Sequence, residues 1–208
     1  MKKNISSLFL ILSLSFTAHA MSVSELNSTI SGSKIQYQGL RDFKPVLDGV
    51  LYRGGGPGGR VELQDKTQLK ALCEQGFENS VYMYPDNFSH NRSVSCSNGQ
   101  INYSVFGSSI LNKKSIYIFL KNLQQTIVEK RGPTFVHCWN GWHASGEISA
   151  YALMQFCGWS GQAAGKYWQA NVGDRKPYPS IVSRISRFQS YSDLNISQQD
   201  QSRICPQQ

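Results

Sequence analysis

Chemistry in this chain concentrates around Cys138, which is followed at short range by Ser145 and Gly146. The stretch VHCWNGWHASG, Val136 to Gly146, reads as a buried strand running straight into a tight loop and then a helix. Successive main-chain N–H groups of such a loop point inward, and the N-terminus of the next helix adds about half a positive charge, so the segment builds an anion cradle. A thiol at the mouth of that cradle is stabilised as the thiolate, the nucleophilic form, and its pKa falls. Metal chemistry is not expected, because His90, His137 and His143 with the cysteines form neither a CxxC pair nor an HExxH helix, and no cofactor is implied. The glycines from Gly54 to Gly59 match no nucleotide-binding register and read as a flexible turn.

The elements that must carry this segment alternate between short apolar strands and amphipathic helices. That pattern predicts an α/β domain with a central, mostly parallel sheet flanked by helices. Strands are expected at Gly49 to Arg53, Ser80 to Tyr84, Ile101 to Phe106 and Thr134 to His137. A helix near Asp65 to Gln75 ends at Gly76, and Pro85 to Gly99 reads as a polar loop. Ile116, Phe119, Leu120, Leu123 and Ile127 mark a helix with one buried face, broken by Gly132-Pro133. Further helices are expected over Ser145 to Phe156, Gln162 to Ala170 and Ser180 to Ser190. The domain is placed at 21–192, with 193–208 a polar, loose C-terminal tail pinned only where Cys205 is tied down.

The first twenty residues read as an export signal: Lys2 and Lys3, an apolar run from Leu8 to Phe16, then Ala18-His19-Ala20. That run is shorter than the roughly 20 residues a bilayer requires, so no membrane span is expected. A secreted or periplasmic protein follows. Losing Lys2 and Lys3 leaves 19 basic residues of the original 21 against 13 acidic ones, a net charge of +6. The basic residues are scattered singly, which points to a general attraction for anions and away from nucleic acid. In an oxidising compartment the five cysteines leave one unpaired. With Cys138 free, the other four allow three pairings, of which Cys73 with Cys96 and Cys157 with Cys205 is favoured; Cys138 as half of a disulfide is the alternative.

The segment resembles the signature of the cysteine-dependent protein tyrosine and dual-specificity phosphatases: His-Cys, five residues, then Arg and Ser or Thr, between a buried strand and a helix. His137, Cys138, Gly141, Ser145 and Gly146 match it, and LDGVLYRGGGPGG at Leu47 to Gly59 is similar to the entry strand of bacterial dual-specificity members. The resemblance implies that Cys138 is the nucleophile and that His137 orders the loop. It also implies that Ser145 helps the thiolate depart from a phosphocysteine intermediate. Trp139, Asn140, Gly141, Trp142, His143, Ala144 and Gly146 would then line the bound anion. Trp139 and Trp142 either cover the loop or form an aromatic mouth. His143 either lends partial positive charge or faces away.

Two departures set the expected activity. Ala144 stands where the family has its phosphate-binding Arg. Losing that fork removes about 3 to 5 kcal/mol of transition-state stabilisation, roughly 10² to 10⁴ in rate. The loop Gly107-Ser108-Ser109-Ile110 lacks the family's general-acid Asp, leaving Asp86, Asp174 and Glu147 as substitutes to consider. The expectation is a weak or inactive phosphatase-like protein that binds a phosphate-like anion, a phosphorylated ligand or a protein partner. The alternative is an active phosphatase; a thiol redox or acyl-transfer role ranks third, since no resolving cysteine lies close in sequence.

Overall fold

The computed structural model describes residues 39–58, 62–84, 90–106, 112–172 and 178–206. The export signal, Asp86, Asp174 and the 107–110 loop lie outside the described residues. Among the described residues six strands form one mixed sheet: β1 (Arg41–Leu47), β2 (Leu51–Gly55), β3 (Asn79–Tyr82), β4 (Arg92–Cys96), β5 (Gly99–Val105) and β6 (Thr134–Cys138). Their spatial order is β1-β2-β6-β3-β5-β4. The inner pairings, β2 with β6, β6 with β3 and β3 with β5, are parallel, whereas both edge strands run antiparallel to their neighbours. The helices among the described residues are α1 (Lys70–Glu74), entered through a π-turn at Asp65–Leu69, α2 (Lys113–Glu129), α3 (Ala144–Cys157), α4 (Gly161–Val172), α5 (Pro179–Ser186) and α6 (Gln198–Ile204).

Central β6 is buried along its whole length, as a strand covered on both faces must be. Its residues alternate between two cores: Val136 and Cys138 join Leu120, Leu123, Ile148 and Leu153, whereas Phe135 joins Leu69, Leu72, Phe77 and Tyr103. Helix α3 is buried at every residue from Ala144 to Phe156, so its apolar side chains encircle it, and Gly158 at φ +65° ends it in a left-handed cap. No helix among the described residues is long and apolar enough to cross a membrane.

Several sequence expectations need correction. Gly54 and Gly55 belong to strand β2, hydrogen-bonded opposite His137 and Cys138, so they are no flexible turn. Part of the expected polar loop forms β4, because Val94 can pack inward while its serines face out, and Cys96 is bonded to Cys73. The described part of the C-terminal tail, 193–206, is not loose. Ser197 caps α6, Ile204 and Leu194 are buried, and Cys205 is bonded to Cys157 at the end of α3. The last helix before the tail stops at Ser186 rather than Ser190. Strand β1 forms where no strand is expected, since Pro45 interrupts its pattern.

Candidate functional site

Strand β6 ends at Cys138 and α3 begins at Ala144, so 139–143 make the whole connection between them. Gly141 has φ +82°, and a side chain there would meet the main chain of Gly54 and Gly55 at 2.8 Å. A methyl on Gly55 would come within 2.4 Å of the Asn140 carbonyl carbon. Glycine on both sides therefore lets the end of β2 lie directly against the loop, backbone to backbone. The Gly56 N–H donates to the Cys138 carbonyl at 3.0 Å and closes this edge.

From the other side β1 grips the loop. Arg41 Nη1 donates to Asn140 Oδ1 at 2.9 Å, and the Trp142 indole donates to the Asp42 carboxylate. Asp42 holds φ +46°, a left-handed conformation costly for a residue with a side chain, at the point where the β1–β2 register is broken.

Within this frame Cys138 is the one free cysteine of the chain, 3% exposed, with its Sγ 3.4 Å from Ser145 Oγ. Among the described residues, the main-chain N–H groups of Asn140, Gly141, Ala144, Ser145 and Gly146 donate to no protein acceptor. The last three sit in the first turn of α3, where helix geometry leaves N–H groups unpaired. Open main-chain donors thus lie on both sides of the connection that follows the sulfur. Ala144 is buried and offers no donor beyond its own N–H.

His137 lies beneath the loop, fully buried, with Nε2 2.9 Å from the Tyr103 hydroxyl and its ring stacked 4.8 Å from Tyr82. Burial pushes its pKa down to about 3, so the ring is neutral at physiological pH. The Tyr103 hydroxyl also accepts the Leu63 N–H at 3.1 Å, which ties the histidine to the segment before α1.

Both tryptophans are anchored. Trp139 donates to the Tyr82 hydroxyl at 2.9 Å and packs 4.6 Å from Tyr84. His143 stands edge-on to Tyr178 at 4.6 Å, and its carbonyl accepts from Trp168 Nε1 at 3.1 Å. Tyr84, whose phenol is pushed up chiefly by burial and then by the neighbouring Cys138, belongs to the same rim. Glu147, one of the considered acids, is not available. Its two oxygens accept Arg184 Nε at 2.7 Å and Nη2 at 2.9 Å, and Oε1 also accepts the Tyr151 hydroxyl.

Arg41, Asp42, Arg53, Tyr82 and Tyr103 complete the site, and none was singled out from sequence. Arg53 alone carried a usable signal, as a charged residue inside the apolar run of a buried strand. It is fully buried, with Nη2 donating to the Gly141 carbonyl at 2.5 Å and Nη1 3.5 Å from the Tyr167 hydroxyl.

The chain is similar in fold to tyrosine-phosphatase-like and dual-specificity phosphatase structures. The human tyrosine phosphatase-like serine/threonine/tyrosine-interacting protein is 17% identical, covering 69% of this chain and 92% of that one, with a TM-score of 0.47. For P. aeruginosa TpbA the values are 17%, 76% and 94%, with a TM-score of 0.48. A variant of human DUSP28 gives 14%, 69% and 93%, with a TM-score of 0.46. No protein-family model matches the sequence, and no curated protein matches it.

Proposed function

We propose that the loop from Cys138 to Ser145 binds a phosphate-like oxyanion, and that the protein is an exported phosphatase-like binder whose turnover is weak or absent. The observation that carries this reading is the set of main-chain N–H groups in the loop after Cys138 and the first turn of α3 that have no protein acceptor among the described residues, with no guanidinium at Ala144 to join them. Five such donors suffice to hold an anion. Without a planar cationic fork the site lacks the strongest contacts to a transferring phosphoryl group. The anion belongs to a small phosphoester or to a phosphorylated protein partner. Two disulfides fit an oxidising compartment, as the export signal requires.

The Cys138–Ser145 contact of 3.4 Å favours a second reading, an active phosphatase. In that reaction the Cys138 thiolate forms an S–P bond as the ester P–O bond breaks, and the leaving oxygen takes its proton from solvent. Water then attacks phosphorus, phosphate departs, and Ser145 donates a hydrogen bond to the released thiolate. With Glu147 held by Arg184, it gives the leaving oxygen no proton, so aryl phosphates are expected to react faster than alkyl phosphates.

Titration of the mature protein with inorganic phosphate tests the first reading: saturable binding in the millimolar range is expected, and none at all would sink it. Aryl phosphate turnover between pH 5 and 8 is expected to be slow and to vanish in Cys138→Ser. Fast turnover that Cys138→Ser abolishes replaces the first reading with the second.

A further inference from the structure

We propose that Arg53 supplies, from beneath, the positive charge that the loop lacks at Ala144, and acts as the positioning residue for negative charge at Cys138 and in the cradle. The inference rests on the anion-site reading above.

The guanidinium lies against the middle of the loop and the first turn of α3. Nη2 donates to the Gly141 carbonyl at 2.5 Å, and Nη1 is the atom that a methyl on Gly146 would meet at 2.9 Å. Tyr167 lies against its other side, with the ring centroid 5.8 Å from the guanidinium carbon. A planar peptide sets the Gly141 carbonyl and the Trp142 N–H in opposite directions, so pulling the carbonyl toward Arg53 turns that N–H away from it. Arg53 therefore sets the orientation of a loop peptide as well as its charge.

Its own charge is unbalanced within the fold. Arg53 is fully buried, its Nε has no acceptor, and among the described residues no carboxylate pairs with it. Glu147, the buried carboxylate at the start of α3, is taken by Arg184. An arginine cannot shed its proton, and a buried unpaired cation is strongly unfavourable. Negative charge held by the same loop, on the sulfur or on a bound oxyanion, offsets part of that penalty. The charge is thus most useful when the site is ionised or occupied.

The test follows iodoacetamide alkylation of Cys138 in the mature chain as a function of pH and of inorganic phosphate. It compares wild type with Arg53→Gln, Arg53→Lys and Gly146→Ala. In Arg53→Gln the pH midpoint of alkylation is expected to rise by about one unit, and protection by phosphate to weaken about tenfold. Arg53→Lys, which keeps the charge, is expected to recover most of both. Gly146→Ala leaves Arg53 in place but crowds Nη1, and is expected to shift both in the same direction by less. A folded Arg53→Gln with the wild-type midpoint overturns the inference. If Arg53→Gln does not fold, Gly146→Ala decides, and a wild-type profile there overturns it. Should phosphate fail to protect wild type, the anion reading falls, while the comparison of midpoints still decides the role of Arg53.

Discussion

His137 holds its place by being neutral. Its folded pKa of about 3 lies below the ordinary 6.5 because burial disfavours the imidazolium. Between those values the unfolded chain binds a proton that the folded one refuses, so stability falls as pH drops through this window. From pH 7 to pH 5 the loss is about 2 kcal/mol. Urea unfolding at both pH values should show it as a difference between wild type and His137→Gln, with the variant less sensitive. Position 144 offers a second test at this scale. Ala144→Arg places a guanidinium at the start of α3, and phosphate affinity measured by calorimetry is expected to rise about tenfold or more.

Among the elements, the junction of β2 with the loop tolerates least change. Gly55→Ala places a methyl against main-chain atoms that cannot swing aside, and is expected to cost several kcal/mol in chemical denaturation. This junction also marks how far sequence could be read. Strand β6, the loop and α3 were legible because an uninterrupted apolar strand, the Cys138 to Ser145 spacing and a helical apolar run agree with one another. Strands β1 and β4 were not, since edge strands are polar on one side: Pro45 interrupts the first, and the serines of Arg92–Cys96 dilute the second. Helix α6 reads as polar because of its QQDQSRI composition, and Ile204 is its one buried residue. The site residues on other strands carry no such signal, because proximity across a sheet leaves no spacing in the chain.

At the scale of the whole molecule, two features tie the outer helices to the helix that carries the cradle. The Cys157–Cys205 bridge spans 48 residues and fastens the C-terminus to the end of α3. Replacing both with Ser is expected to cost about 2–4 kcal/mol, read as a lower melting temperature that reductant no longer changes at this bridge. The Glu147–Arg184 pair joins α3 to α5, with the Glu147 side chain 3% exposed. Arg184→Ala leaves that carboxylate buried without its cation and is expected to destabilise by about 2–4 kcal/mol in urea unfolding. Both variants keep every cradle residue, so phosphate binding below the transition should survive.

The two margins of the sheet bear on behaviour in concentrated solution. One rim is a strand broken in register and carrying a proline; the other is five residues long and begins with an arginine engaged by Glu62 and Asp65. Neither offers a flat template on which a second copy could continue the sheet, so this architecture discourages edge-to-edge fibre growth.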